Sequence, residues 1–451
     1  MPDGNATLGG TMSKRHAIAR TGTALMMPAL LLGGVSTASA GGFGLREQSA
    51  YYQGTSFAGN AAGGAGLGSM YWNPAAISFV PGMQFEGNVT YIAPHSTVDV
   101  ISATSVTGAN LGTLGVGDIA DNGVLPTGYA TYGFDRWAVG LSLNSPYGLV
   151  TDATCNWSGR NYGCYNRIFD INMGAQVAYR VNDWLTIGGG LNANYIDAKL
   201  TNAQLLSAAP PFPTGNAVVN GDAIGFGFSL GALFTVMPGT TIGIGYRSAI
   251  NNTLEGLTNI STVGGTTVAN LATTAGLTLP DQVTASFRSQ IAPQWTVSGT
   301  VEWTNWSTVQ ELVIATSAGS PSVLNLQWQD GWFFSGGVEY QWTPQLAVRA
   351  GAGYEISPVT DEHRSPRLTD TNRIWLSAGL TYAWTPNLSI DFAYTHLFGD
   401  SGSITQYSTE LGNAARGNLV AEIGDSYADI VSLGVRYRFD SSPVKTALIT
   451  K

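Results

Sequence analysis

The sequence predicts an all-β fold: a transmembrane antiparallel up-and-down β-barrel of about 14 strands, with an N-terminal plug, or hatch, in its lumen. Only 11% of the 451 residues are charged, whereas soluble domains average about 25%. No uninterrupted apolar stretch reaches the roughly 18 residues that a membrane-spanning helix needs. From residue 82 onward, apolar residues alternate with small or polar ones, which is typical of strands that cross a membrane.

Residues 1–40 have the three parts of a secretory signal peptide. A basic region contains Lys14, Arg15, His16 and Arg20. A short apolar region follows at 24–35, and a small-residue cleavage site follows at 38–40. The apolar region is too short for a membrane anchor, and the start codon, Met1 or Met12, stays open. We therefore expect export to the outer membrane of a bacterial cell.

The alternating strands have one large apolar face and one small or polar face. In the segment 222–236, the apolar residues Ile224, Phe226, Phe228, Leu230, Phe234 and Val236 alternate with Gly225, Gly227, Ser229, Gly231 and Thr235. In later strands the small or polar face also carries Glu302, Glu339, Arg349, Asp391, Arg436 and Arg438. A wet lumen and a lipid-facing outer wall suit this pattern better than a soluble sandwich does.

Aromatic residues and loop lengths also favour a membrane barrel. Aromatic pairs stand where strands end, as in an interfacial girdle: Tyr179 and Trp184, Tyr340 and Trp342, and Tyr382 and Trp384. Short turns alternate with long loops, which are expected at 93–123, 146–166, 199–221, 257–279, 308–324, 359–370 and 399–427. Strands are expected at 82–92, 124–133, 136–145, 167–180, 184–198, 222–236, 240–256, 280–291, 294–307, 325–341, 345–358, 371–384, 387–398 and 428–439.

Residues 41–81 do not alternate and precede the barrel, which is expected to span 82–439. The segment is rich in Gly, Ala, Ser and Asn, and it contains the aromatic residues Phe43, Tyr51, Tyr52, Phe57, Tyr71 and Trp72. A barrel of this size would otherwise enclose an aqueous opening. We therefore interpret the segment as a plug, with a disordered periplasmic tail as the alternative. Residues 440–451 form a C-terminal extension beyond the last aromatic residue, Phe439.

Cys155 and Cys164 lie between two predicted strands, in a segment rich in Asn, Gly and Tyr. An exported chain meets an oxidising compartment, where the two thiols can pair. The loop between them is short, so a disulfide would stabilise it by at most about 3 kcal/mol. A disulfide that staples this loop is favoured over redox chemistry, because the spacing is not Cys-x-x-Cys.

Several segments together resemble the FadL-type family of outer-membrane long-chain fatty acid and hydrocarbon transporters. The N-terminal segments are Gly42-Phe43, Glu47-Gln48-Ser49 and Trp72-Asn73-Pro74-Ala75. The later segments are Ser145-Pro146-Tyr147-Gly148-Leu149, Gly245-Tyr246-Arg247-Ser248, Leu279-Pro280-Asp281, Glu302-Trp303-Thr304-Asn305-Trp306-Ser307 and Ala393-Tyr394-Thr395-His396-Leu397-Phe398. The resemblance covers essentially all of 41–439.

The resemblance implies a monomeric barrel of about fourteen strands closed by a hatch. It also implies ligand capture among the outer loops, hatch rearrangement and lateral release through a kinked third strand into the membrane lipid. Here the kink would involve Asn144, Ser145, Pro146 and Gly148, because Pro cannot donate to the hydrogen-bond ladder. The alternative is that Pro146 simply ends the strand. The hatch switch would be Asn73, Pro74 and Ala75, with an ordinary structural turn as the alternative.

A fatty acid needs an apolar slot for its tail and a cation for its carboxylate. Arg247 is the preferred head-group residue, because small Gly243 and Gly245 beside it leave lumen space. Arg349 is the second candidate, and Arg436 and Arg438 share its inward parity. The alternative for each is pairing with an acidic residue of the lumen wall, such as Glu302, Glu339, Glu355 or Asp391.

Other functions fit the sequence less well. The net charge of -9 disfavours a nucleic-acid partner. His95, His363 and His396 lack the context of a hydrolase nucleophile, and neither a metal-ligand spacing nor a cofactor motif is present. A general porin and a structural or adhesive barrel remain as rivals. Expected partners are a fatty acid or hydrocarbon, outer-membrane lipid and the assembly machinery; the choice among fatty acid, alkane and aromatic hydrocarbon stays open.

Overall fold

The structure is a computed structural model that describes residues 41–79, 82–207, 213–319 and 321–439. The predicted signal peptide, 1–40, and the C-terminal extension, 440–451, lie outside the described residues. Short helices occur at Ala50–Gln53 (α1) and Ser69–Trp72 (α2), and 3-10 turns occur at Pro74–Phe79 and Trp306–Thr308. The other described elements are β-strands.

In the described part of the chain, twenty strands form one sheet. The first ten are β1 Gly82–Thr104, β2 Gly123–Phe134, β3 Trp137–Asn144, β4 Gly148–Asp152, β5 Tyr165–Arg180, β6 Leu185–Leu205, β7 Thr214–Met237, β8 Thr240–Arg247, β9 Ile250–Thr262 and β10 Thr267–Leu279. The others are β11 Gln282–Ala292, β12 Trp295–Thr304, β13 Glu311–Thr316, β14 Ser322–Asn325, β15 Gly331–Gln341, β16 Leu346–Ile356, β17 Arg373–Ala383, β18 Leu388–Gly399, β19 Gly402–Gln406 and β20 Asn418–Arg438.

Fourteen of these strands close into an antiparallel barrel, which confirms the predicted fold class. They are β1, β2, β3, β5, β6, β7, β8, β11, β12, β15, β16, β17, β18 and β20, each paired with the next. The barrel closes where β20 pairs with β1, from Gln84 opposite Arg438 outward to Thr104 opposite Asn418. Pairing of the first strand with the last removes the two free edges that an open sheet would expose to lipid.

Four further strands, β9, β10, β13 and β14, extend the barrel at its outer, loop-bearing end. β9 and β10 form a hairpin that pairs with the outer half of β7, and β13 and β14 form a second hairpin against β10. The predicted strand 240–256 and loop 257–279 are therefore wrong in detail. The ladder breaks at 248–249, between β8 and β9, and the supposed loop is largely strand. The alternation simply continues across that break.

The two faces of the wall differ as the alternation predicts. Large apolar side chains such as Phe226 and Leu191 are 75% and 73% exposed on the outer face, where lipid would cover them. Inward charged residues, by contrast, are buried: Asp391 is 0% and Glu302 1% exposed. The described residues 41–79, hereafter the hatch, fill the lumen beside them.

Glycines in the wall allow the hatch to lie directly against the strands. A Cβ atom at Gly243 would lie 1.8 Å from the carbonyl oxygen of Ala61, and one at Gly245 would lie 1.8 Å from that of Trp72. On the opposite side of the ring of strands, Gln53 of α1 donates through its Nε2 to Ile430 O of β20 at 3.2 Å. The hatch is therefore fixed by backbone contact on one wall and by polar side chains on the other.

Candidate functional site

An apolar cavity of about 130 Å³ lies between the outer ends of the strands and the outer loops. We call it the outer cavity. Its wall includes Leu254 of β9, Leu277 of β10 and Ile314 of β13. These side chains are buried on the inward face of the two hairpins. Trp328 and Phe43 also line it. Because burial of each methylene is worth about 0.8 kcal/mol, this surface suits an alkyl chain or a hydrocarbon ring.

Two arginines, Arg367 and Arg416, stand in the wall of the outer cavity. Arg367 is only 8% exposed. Its Nη1 donates to Asn166 Oδ1 at 2.5 Å, its Nη2 donates to Asn202 Oδ1 at 3.1 Å, and its Nε has no hydrogen-bond partner among the described residues. Arg416 lies against Tyr162, with 5.9 Å from the guanidinium carbon to the ring centre. Within the described chain, neither arginine has a carboxylate within 4.0 Å.

This arrangement destabilises the charge of both side chains. Burial, with the nearby Arg416, lowers the pKa of Arg367, and burial likewise lowers the pKa of Arg416. Arginine nevertheless stays protonated in proteins. A buried cation without a counter-ion is costly, so the pair favours an anion in the outer cavity.

The sequence did not predict these two arginines. They lie in the irregular loops 359–370 and 399–427, where no alternation indicates the direction of a side chain. The chain contains only 20 Lys and Arg residues in total, but the outer loops also hold Arg160 and Arg364, so position in a loop does not single out this pair.

The floor of the outer cavity is the first segment of the hatch. The Phe43 ring packs against Tyr147, Trp306 and Trp328 at centroid distances of 5.7, 4.9 and 5.7 Å. The backbone of the same segment pairs with the third barrel strand: Leu45 N donates to Pro146 O at 2.8 Å, and Gly148 N donates to Phe43 O at 2.9 Å. One short segment thus contacts both the outer cavity and the strand.

The third strand is interrupted where Asn144, Ser145 and Pro146 were predicted to kink it. β3 pairs with β2 only as far as Leu143 opposite Gly128. After Pro146 the chain resumes as β4, from Gly148, which pairs with β5 and not with β2. Since the strand continues beyond Pro146, an interruption describes it better than a simple strand end.

The interruption leaves a window in the barrel wall. Residues 123–127 of β2 pair with β1 on one side, but among the described residues they have no ladder partner on the other. The next contact above is the bridge between Ala120 and Thr151. Gln48 of the hatch holds the interruption from inside: its Nε2 donates to Ser145 O at 3.0 Å, and its Oε1 accepts from Asn144 Nδ2 at 3.2 Å.

Arg349 and Arg247, the two head-group candidates predicted from the sequence, have different surroundings. Arg349 is buried, with its Nε 2.7 Å from Glu339 Oε2, and its guanidinium lies 3.8 Å from the Tyr51 ring centre. The pairing alternative therefore describes Arg349. Arg247 has no ion pair among the described residues; its Nη1 donates to Tyr71 O at 3.3 Å.

The predicted lumen space beside Arg247 is absent. The space beside Gly243 and Gly245 is not open lumen, because the backbones of Ala61 and Trp72 occupy it. Arg247 therefore faces the hatch and is absent from the lining of the outer cavity. In the described conformation it is an anchor for Tyr71, whose ring centre lies 4.2 Å from the guanidinium carbon.

The segment Asn73, Pro74 and Ala75 lies deep in the hatch. Asn73 Nδ2 donates to Ala61 O at 2.8 Å and to Ala232 O at 3.0 Å, and its Oδ1 accepts from Ala75 N at 3.0 Å. The side chain thus joins two parts of the hatch to strand β7. This geometry fits an anchor at least as well as a switch.

Cys155 and Cys164 form a disulfide in the outer loop before β5, with their Cα atoms 5.0 Å apart. The loop between them carries Trp157 and Tyr162, which are both buried. Tyr162 belongs to the lining of the outer cavity. In the described residues, no group of three or more His, Cys, Asp or Glu side chains has the arrangement of a metal site.

Comparison with known proteins places this architecture in a family. The family model for outer membrane protein transport proteins (OMPP1/FadL/TodX) matches residues 32–439. The chain belongs to this family. It is therefore an outer-membrane transport protein and not an enzyme, as the sequence predicts.

Relatives and solved structures agree with that assignment. The chain is 28% identical over 399 residues to a long-chain fatty acid transport protein of Escherichia coli O6:H1, covering 81% of this chain and 88% of the relative. The structure of a Pseudomonas aeruginosa FadL homologue superposes with a TM-score of 0.82 at 22% identity, covering 89% and 100%. That of the Ralstonia pickettii toluene transporter TbuX superposes with a TM-score of 0.65 at 20% identity, covering 86% and 97%. Both structural similarities support the fold.

Proposed function

We propose that this FadL-family protein imports long-chain fatty acids across the outer membrane. The observation that carries the proposal is the pair of arginines without a carboxylate partner, Arg367 and Arg416, in the wall of the apolar outer cavity. A fatty acid has the matching chemistry, since its tail fits an apolar surface and its carboxylate accepts the fork of a guanidinium. The fatty acid transporter among the relatives is consistent with this ligand class.

The proposed route begins at the outer cavity and ends in the membrane. Phe43 separates the outer cavity from the interior, and its segment is bonded to the interrupted strand at Pro146 and Gly148. A ligand that displaces Phe43 therefore also removes hydrogen bonds that hold the strand interruption. The window beside residues 123–127 then lets the apolar tail pass sideways into lipid.

The same proposal covers the organisation of the chain. Residues 1–40 are a signal peptide removed on export, 41–81 are the hatch, 82–439 are the barrel and 440–451 are a C-terminal extension. We also propose that the barrel is assembled by the outer-membrane assembly machinery and works as a monomer, because one chain supplies both the outer cavity and the window.

Uncharged hydrocarbons are the second candidate ligand. The toluene transporter among the solved structures shares the fold, and the outer cavity is mostly apolar. The arginine pair favours a fatty acid, because an alkane or aromatic ligand would leave both cations without a counter-ion. A general porin is disfavoured, since the hatch contacts opposite walls of the lumen, at β8 and at β20.

The test replaces Arg367 with methionine, which keeps the length and the apolar stem of the side chain. Loss of one charged hydrogen-bonding partner costs about 2 kcal/mol, so palmitate should bind roughly 30-fold more weakly. Binding can be followed by the fluorescence of Trp328, which lines the outer cavity. Hexadecanol, which has no charge, should bind Arg367→Met about as well as the parent protein.

Arg136→Met is the matched control, because Arg136 lies exposed at the turn between β2 and β3. It should leave palmitate binding unchanged. Equal palmitate affinities for the parent and Arg367→Met, with an Arg416→Met variant equally unaffected, would remove the head-group site and leave the uncharged ligands as the better candidates.

A further inference from the structure

A second and larger cavity lies directly inside the window. Its volume is about 480 Å³, and its lining includes Leu143, Asn144, Ser145 and residues 123–126. We call it the exit chamber. Its lining includes two buried acidic side chains that have no ion pair among the described residues, Glu47 of the hatch and Asp170 of β5. The proposed route gives neither of them a role.

Glu47 is buried, with 4% of its surface exposed, and its Oε2 has no hydrogen-bond partner among the described residues. In the ionised form this oxygen would have lost water without gaining a partner, which favours the neutral acid. Burial accordingly raises the pKa of Glu47 to about 7. Glu47 can therefore hold a proton near neutral pH.

Asp170 is the second buried acidic side chain in the lining of the exit chamber. It is 1% exposed, and its Oδ2 accepts from Asn194 Nδ2 at 2.5 Å. Its Oδ1 accepts no hydrogen bond of ordinary geometry among the described residues. Arg247 interacts electrostatically with Asp170, and the backbone N–H of Tyr147 also approaches it. The chamber thus contains two buried carboxyl groups, each with one unpartnered oxygen.

The charged groups around Glu47 are already paired among themselves. Arg46 bonds to Glu302 and lies 2.9 Å from Glu355 Oε1, while Arg373 lies 3.5 Å from Glu355 Oε2 and also bonds to Asp370. Two cations therefore serve three acidic residues, and a further negative charge at Glu47 is disfavoured. The other titratable groups that line the exit chamber are His95, Asp121, Tyr147 and Tyr427.

We infer that Glu47, with Asp170 as a second carboxyl group, donates a proton to the ligand carboxylate in the exit chamber, so that a fatty acid enters the membrane as the neutral acid. This inference rests on the proposed function. A carboxylate is ionised in water at pH 7, and its transfer to an apolar phase is far more costly than that of the neutral acid. A proton donor placed at the window removes that cost at the point where the ligand leaves water.

The step is a simple proton transfer. The O–H bond of Glu47 breaks, a new O–H bond forms on a carboxylate oxygen of the ligand, and Glu47 is left as the carboxylate. Water that reaches the chamber from the outer side returns a proton to Glu47. Each fatty acid therefore carries one proton from the external medium into the membrane, and an uncharged ligand carries none.

The test compares the transfer of palmitate and hexadecanol into the bilayer of proteoliposomes that contain the full mature chain. Glu47→Gln keeps the shape of the side chain but has no acidic proton. It should lower the palmitate rate about tenfold, since positioned acids accelerate proton transfer by roughly a hundredfold or more when that step alone is limiting. The hexadecanol rate should stay unchanged, and Glu47→Asp should restore most of the palmitate rate.

The pH profile provides a second readout. A carboxyl group whose pKa is about 7 loses its proton as the pH rises through that value. Palmitate transfer by the parent should therefore fall between about pH 6 and pH 8, while hexadecanol transfer should not. Glu47→Gln and the Glu47→Gln, Asp170→Asn double variant should show a flatter palmitate profile.

Three results would overturn the inference. An equal loss for both ligands would make Glu47 a structural residue of the hatch, and equal rates for Glu47→Gln and the parent would show that no proton is donated there. Failure of the parent to transfer palmitate, with hexadecanol still moving, would refute the proposed fatty acid function itself.

Discussion

Replacement of Phe43 with alanine tests whether the outer cavity is coupled to the strand interruption. The Phe43 ring is 5% exposed and packs against three aromatic rings. Removing a buried phenylalanine ring costs about 3–5 kcal/mol. The backbone hydrogen bonds from Leu45 to Pro146 and from Gly148 to Phe43 contribute only about 1 kcal/mol each, so they cannot hold the segment in place without the ring.

Local opening of the segment should therefore become at least about a hundredfold more frequent, since 1.4 kcal/mol corresponds to a factor of ten. Amide hydrogen exchange of the detergent-solubilised protein measures this directly. We expect faster exchange in peptides covering 41–49 and, through the shared hydrogen bonds, in peptides covering 143–150. If ligand binding in the outer cavity normally opens the segment, Phe43→Ala should open it without ligand. Palmitate uptake at low concentration should then no longer depend on how fully the outer cavity is occupied.

Phe57→Ala is the matched control, because Phe57 is also fully buried in the hatch but packs against Trp72 and Trp375. In Phe57→Ala, amide hydrogen exchange should become faster near residues 54–60 and stay unchanged at 143–150. The coupling would be refuted if Phe43→Ala accelerated exchange in 41–49 and left 143–150 as protected as in the parent.

Two further predictions concern the outer loop and the hatch. The Cys155–Cys164 disulfide closes a loop across a sequence separation of 9, and its reduction should remove about 2.7 kcal/mol of loop stabilisation. Because the loop carries Tyr162, palmitate binding should weaken several-fold. Unchanged binding after verified reduction would show that the loop is held by packing alone. Asn73→Ala leaves the Ala61 and Ala232 carbonyl groups without this donor, at a cost of about 1–3 kcal/mol for each buried group. Palmitate uptake should therefore slow. Heat-modifiable gel mobility should show that the barrel is intact. Uptake equal to that of the parent in matched membranes would remove Asn73 from the mechanism.

The barrel could be predicted from the sequence because a closed membrane sheet imposes a strict rule on every strand. Lipid on one side and a wet lumen on the other force alternation, as in 222–236, and the low charge content excludes a soluble alternative. The same rule failed at 248–249, because the alternation continues from β8 into β9 while the hydrogen-bond partner changes.

The candidate site was predictable only where backbone chemistry marks it. Pro146 cannot donate to a ladder, so the strand interruption was visible in the sequence. The head-group residues were not, because Arg367 and Arg416 lie in loops whose folding depends on distant contacts such as Asn166 and Tyr162. Gly243 and Gly245 were seen as lumen space, but their role is to admit the hatch backbone.

Uptake of radiolabelled palmitate by intact cells that produce this protein is the most direct test of the central claim that a plugged barrel admits an anionic amphiphile selectively. The uptake should be saturable, and it should fall strongly when Arg367 and Arg416 are both replaced by methionine. Entry of a small neutral sugar, measured in the same cells, should not rise above that of cells without the protein. Rapid sugar entry together with palmitate uptake that is indifferent to the two arginines would contradict the account and indicate an open porin.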